Sequence, residues 1–187
     1  MDIYLIRHTQ TNTPKGLCYG QQNVGLADSF AQEVIAVKQK LPNLTPDCQV
    51  YSSHLDRCLQ LAEQFSSSIM TDARLVEVNF GDWEGIPFND IDPAVLQHWT
   101  ENFVHTPPPN GESFSDLCVR VGNFWQELLS REHQQVVIIT HAGVIRALLA
   151  HILKLPLAHA FHFRVDCGSV HKFQHSHHYT YIHFLNF

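Results

Sequence analysis

The chain of 187 residues has no apolar run approaching the ~20 residues that a membrane-spanning helix requires, which excludes a membrane-spanning protein. Its five cysteines, Cys18, Cys48, Cys58, Cys118 and Cys167, are odd in number, scattered and without a C-x-x-C pair. That usage argues against a disulfide framework and against a zinc site, and it fits a cytoplasmic protein. Basic residues are scarce: 12 Lys and Arg stand against 18 Asp and Glu, a net charge of −6 at pH 7. Nucleic acid is thereby disfavoured as a partner, and an anionic substrate gains no long-range attraction. Any phosphate chemistry must rest on a local basic pocket. A secretory leader is not expected, since Asp2 stands where such a segment carries Lys or Arg and the first apolar run ends at Arg7. No internal repeat, low-complexity linker or domain boundary interrupts the chain. One domain over residues 1–187 is expected, of a size that buries roughly 70% of the surface its unfolded chain exposes.

What is present alternates between strand-like and helical patterns, as an α/β protein with a largely parallel sheet requires. Ile3 to Ile6, Cys48 to Tyr51 and Val136 to Thr140 read as short buried strands. Helical periodicity is predicted over Phe30 to Leu41, Leu55 to Phe65, Phe114 to Leu129 and Val144 to Leu153. Residues 86–111 hold Pro87, Pro93 and the run Pro107 to Pro109, which predicts an excursion from the sheet with one short helix near Pro93 to Phe103. From Phe161 onward the alternation predicts two or three closing strands, through Phe161, Phe163 and Val165, then Val170 and Phe173, then Tyr179, Tyr181 and His183.

Four segments carry residues suited to chemistry. Tyr4 to Thr11 places Arg7 and His8 where a buried strand ends, which is where open α/β sheets build their sites. Tyr51 to Cys58 is a strand followed by a helix start, with Ser53 as a candidate N-cap and Arg57 in the first turns. Helix N-termini and planar guanidinium groups both suit phosphate oxygens. Arg74 to Gly85 sets Glu77 and Glu84 seven positions apart amid apolar and aromatic residues, surroundings of the kind a proton-donating acid requires. Val136 to Arg146 is a buried strand delivering His141, with a helix immediately after whose Ala142 and Gly143 N–H groups are expected to face an anion.

Taken in the order strand–Arg-His, strand–Arg, Glu, strand–His, these segments resemble the histidine phosphatase (phosphoglycerate mutase-like) superfamily, over Ile3 to about Leu153. The resemblance extends to the α-ribazole phosphatase branch through Arg7-His8-Thr9, Gly16 to Gly20, Phe80 to Gly85 and Gly111-Glu112-Ser113. It implies a three-layer αβα sandwich with a mostly parallel central sheet. It further implies a phosphate pocket of Arg7, His8, Arg57 and His141, with His8 as nucleophile, Glu77 as proton donor and Thr11 and Ala142 beside the phosphate. Three departures are visible: Thr9 and Ala142 replace usual glycines, and Pro14 falls where an Asn often helps hold phosphate.

The implied reaction is hydrolysis of a small-molecule phosphomonoester, α-ribazole 5′-phosphate foremost, through a phosphohistidine and with no metal or other cofactor. A phosphoglycerate mutase-type phosphotransferase and a catalytically idle phosphate-binding protein are the alternatives. The shortness of the chain favours water as acceptor over the first, and the presence of Glu77 weighs against the second. Glu84 is expected chiefly to tie down its turn. Tyr19, Phe80, Trp83, Trp99 and Phe103 are expected to serve packing first, and the excursion at 86–111 to overhang the site. His171, His175, His177 and His178 have spacings that suit strands and a hairpin better than a metal site. Oligomeric state is left open.

Overall fold

The computed structural model describes all of residues 1–187. Its six strands are β1 (Asp2–Arg7), β2 (Gln49–Ser52), β3 (Ile69–Thr71), β4 (Gln135–Thr140), β5 (Val170–Ser176) and β6 (Tyr179–Phe184). They form one sheet in the order β3-β2-β4-β1-β5-β6. The first four in that order run parallel, and β5 and β6 close the sheet as an antiparallel hairpin. The helices are α1 (Phe30–Gln39), α2 (Asp56–Ala62), α3 (Pro93–Asn102), α4 (Phe114–Leu129) and α5 (Ala142–Leu153).

Successive residues of a strand face opposite sides of the sheet. On β1, Tyr4 and Ile6 pack with Val34 and Val37 of α1 and with Cys58, Leu61 and Ala62 of α2. Ile3 and Leu5 pack on the other side with α4 and α5, through Leu117, Val121, Phe124, Val144 and Leu148. The expected three-layer αβα sandwich follows from that alternation. Strand β4 is buried at every position because both its faces and both its edges are covered. A smaller cluster of Cys18, Trp83 and Ile91, joined by Phe80, Phe88, Leu96 and Trp99, packs α3 and its approach away from the sheet. No helix is long and apolar enough to cross a membrane.

The structure corrects the sequence reading in three places. Strand β3 was not expected, because it is a three-residue edge strand whose Ile69 and Met70 are only half-buried. Phe161 does not begin a strand; Leu157–His162 is a 3₁₀ turn, entered at Pro156 and packed beside α5. Ser53 is not the cap of α2, whose N-cap position is Leu55 without a side-chain cap.

Candidate active site

Three parallel strands end at the same edge. Ladder pairing aligns Arg7 with Thr140 and Ser52 with Ile139, so the residues that follow, His8, His141 and Ser53, emerge together. The pairing continues one step beyond the strands, with His8 N donating to Thr140 O at 3.0 Å and Ser53 N to Ile139 O at 3.0 Å. The histidine rings lie 5.2 Å apart between centroids, at 61° to one another.

His8 is 2% exposed, and its Nδ1 donates to Thr9 O at 2.7 Å. A carbonyl only accepts, so Nδ1 carries the ring proton and Nε2 keeps a free lone pair. Burial, and then the charges of Arg7 and Arg57, pull the His8 pKa down to about 3. The ring is therefore neutral at ordinary pH. His141 is pushed in the same direction by burial first, then by His8, Arg57 and Arg7.

The two arginines are fastened by carbonyls. Arg7 Nη1 donates to Val165 O at 2.8 Å. Arg57 Nη2 donates to Gly20 O at 2.5 Å and its Nη1 to Gln22 O at 2.9 Å, while its guanidinium lies 5.4 Å from the Tyr19 ring centre. Arg7 Nε and Arg57 Nε are buried and bond no protein atom. A buried donor left without a partner costs roughly 1–3 kcal/mol, and an anion between the two arginines would remove that cost. Ser53, the expected cap, instead joins its Oγ to His141 Nε2 at 2.9 Å while accepting from Leu55 N.

Glu77 stands on an irregular segment, half-buried, with Val78 N donating to Oε1 at 3.0 Å and Gly143 N donating to Oε2 at 3.1 Å. The expectation that Gly143 offers its N–H to a bound anion is thus corrected, because Glu77 already accepts it. Ala142 heads α5, next to His141. Arg120 of α4 clamps the segment that carries Glu77, donating to Arg74 O at 2.7 Å and Glu77 O at 3.1 Å while paired with Glu112 at 2.6 Å.

Thr11 Oγ1 bonds Thr13 Oγ1 at 2.8 Å and Tyr19 OH at 3.2 Å, on the wall of a cleft of about 520 Å³ beside Arg7 that Pro14 and Lys15 also line. Glu84 is committed to its turn, accepting from Gln21 N at 2.8 Å, Gln22 N at 2.5 Å and Phe80 N at 3.1 Å. Glu77 by contrast accepts one backbone N–H on each oxygen. The sequence reading missed Arg120 and also Arg146. The latter shares a helix face with Ala142 and Gly143 by its spacing of four and three positions, the one signal that could have found it.

The family model described as "Histidine phosphatase superfamily (branch 1)" matches residues 3–187. The chain is 29% identical over 177 residues to an adenosylcobalamin/alpha-ribazole phosphatase of Escherichia coli strain K12, covering 90% of this chain and 87% of the relative. It is 30% identical over 173 residues to a glucosyl-3-phosphoglycerate phosphatase of Mycobacterium tuberculosis, covering 83% and 77%. The crystal structure of the alpha-ribazole phosphatase from Shigella flexneri superimposes with a TM-score of 0.91 at 28% identity, covering 100% of this chain and 96% of that one.

Proposed function

The chain belongs to branch 1 of the histidine phosphatase superfamily, and from that membership we propose that it hydrolyses a small-molecule phosphomonoester through a phosphohistidine on His8. The observation that carries this reading is the buried, neutral His8, whose Nδ1 proton is held by Thr9 O while two arginines and a second neutral histidine surround it.

Phosphoryl transfer spreads negative charge over three equatorial oxygens, so catalysis consists mainly of positioning and electrostatic stabilisation. Arg7, Arg57 and His141 hold those oxygens, with Thr11 and the N–H of Ala142 beside them, in place of a metal ion. The Nε2 lone pair of His8 forms the P–N bond as the P–O ester bond breaks. Its electrons go to the leaving oxygen, which takes the proton of Glu77. Glu77, now a carboxylate, removes a proton from water; the water oxygen bonds phosphorus and the P–N electrons return to Nε2. The net change is ester plus water to alcohol plus phosphate, and Glu77 serves both halves.

For the alcohol portion, the ribazole phosphatases among the relatives support α-ribazole 5′-phosphate, and the excursion at 86–111 sets the choice from above the site. The half-buried guanidinium of Arg146 supports a different alcohol, one that carries an anion. The setting implied is cytoplasmic, with no nucleic-acid or membrane partner. Purified protein should release phosphate from p-nitrophenyl phosphate and from at least one metabolite in a panel containing α-ribazole 5′-phosphate. Binding of these esters without any release would mean an idle phosphate-binding protein.

A further inference from the structure

Arg146 is a charged residue on the helix that begins at the site, and neither phosphoryl transfer nor the proton donor has a use for it. It lies on α5 one turn beyond Gly143, whose N–H holds Glu77. Helical side chains lean toward the N-terminus of their helix, so a long side chain at 146 reaches back toward the end where His141 and Glu77 stand. Its Nε donates to Phe163 O at 3.1 Å, and its guanidinium lies 5.0 Å from the ring centre of Phe161, which is 50% exposed.

Arg7 is anchored to the same strap, through Val165 O. Phe163 has extended backbone, with φ −80° and ψ 119°. The carbonyls of Phe163 and Val165, two positions apart on one short segment, thus anchor Arg146 and Arg7 respectively. Arg7 spends its remaining donors on the phosphate. Arg146 has Nη1 and Nη2 unpaired within the protein, and no carboxylate of the chain forms an ion pair with it. Burial pulls its pKa down, while Glu77 pushes it up and Arg7 lowers it, so the charge sits within electrostatic reach of both. A partly desolvated cation without a partner is costly unless a ligand supplies the counter-charge.

We propose that Arg146 is a specificity residue whose Nη1 and Nη2 bind a carboxylate on the leaving group. The preferred substrate is then a phosphorylated hydroxy acid whose carboxylate lies one or two carbons from the ester oxygen. This inference rests on the phosphatase reading and sets aside α-ribazole 5′-phosphate, which has no second anion.

Phosphoglycolate and 2-hydroxyethyl phosphate differ only by a carboxylate in place of a hydroxymethyl group. The test compares kcat/KM for the two in the wild type, in Arg146→Met, which keeps an apolar stem against Phe161, and in Arg146→Lys. The wild type should favour phosphoglycolate, and Arg146→Met should lower the ratio of the two constants by about ten- to a hundredfold, the worth of a charge-assisted hydrogen bond. Arg146→Lys should restore part of the ratio. A residue that only ties the strap to α5 would lower both constants together and leave the ratio unchanged, which overturns the proposal. Faster turnover of 2-hydroxyethyl phosphate or α-ribazole 5′-phosphate by the wild type overturns it also, and leaves the phosphatase reading standing. Absence of turnover on every ester, p-nitrophenyl phosphate included, defeats the phosphatase reading itself.

Discussion

The backbone N–H of Gly143 donates to the carboxylate of Glu77 at 3.1 Å, and a Cβ at position 143 would overlap Glu77 Oε1. The turn that follows His141 thus fixes where the Glu77 carboxylate, the proposed proton donor, points. Gly143→Ala should leave the helix intact, since Ala is the better helix former, yet force the carboxylate aside. Misplacing a catalytic group by about 1 Å can cost on the order of a hundredfold. The expected result is a loss of about that size in kcat for alkyl phosphates and a smaller one for p-nitrophenyl phosphate, whose leaving group needs little protonation. Equal losses on both would show that the substitution disturbs the phosphate pocket instead.

Arg120 holds Glu77 from the other side, through the carbonyls of Arg74 and Glu77 and the pair with Glu112. Arg120→Gln cannot span these partners. It should steepen the dependence of kcat on leaving-group pKa, as expected when the acid is poorly placed, while phosphate inhibition constants stay within about threefold. A slope identical to that of the wild type would assign Arg120 to packing alone.

His8 titrates near 3 in the folded chain and near 6.5 when unfolded. Between those values the unfolded chain binds more protons. Stability is therefore fully present above about pH 6.5 and is lost as pH falls toward 3. By pH 5 the loss through His8 is about 2 kcal/mol, and His141 adds to it in the same direction. His8→Asn should lose less stability than the wild type in urea titrations at pH 7.5 and pH 5. Identical losses in the two proteins would mean that His8 is not buried as a neutral ring.

Two arginines and the neutral ring of His141 supply the site's donors from the chain itself, and His8 supplies its lone pair. Turnover should accordingly persist in EDTA, within about twofold. Loss on chelation, with recovery on adding a divalent ion, would contradict the proposed division of labour.

Much of the site could be read from sequence because Arg7, His8 and His141 stand at or just beyond strand ends, Arg57 lies in the first turn of the helix after β2, and short buried strands such as Val136 to Thr140 announce themselves. Glu77 was legible only through the joint order of four segments, since nothing local distinguishes it from Glu84. What separates the two is tertiary: Glu84 is consumed by three backbone N–H groups, whereas Glu77 meets Gly143 across 66 positions of sequence. Arg120 was invisible for a related reason, and Arg146 showed only its helical spacing to Ala142 and Gly143. Each is defined by carbonyls of irregular segments, which leave no pattern in the chain. Ser53 read as a helix cap because local chemistry allowed it, and His141 competed successfully for the hydroxyl.

The most direct measurement follows the phosphoryl group. Protein mixed with labelled phosphomonoester, quenched in alkali and digested, should carry alkali-stable, acid-labile label on the peptide containing His8. Glu77→Gln should accumulate more of it than the wild type, because hydrolysis of the intermediate lacks its base, and His8→Ala should carry none and turn over no ester. Label on any other residue, or turnover surviving in His8→Ala, would contradict the account.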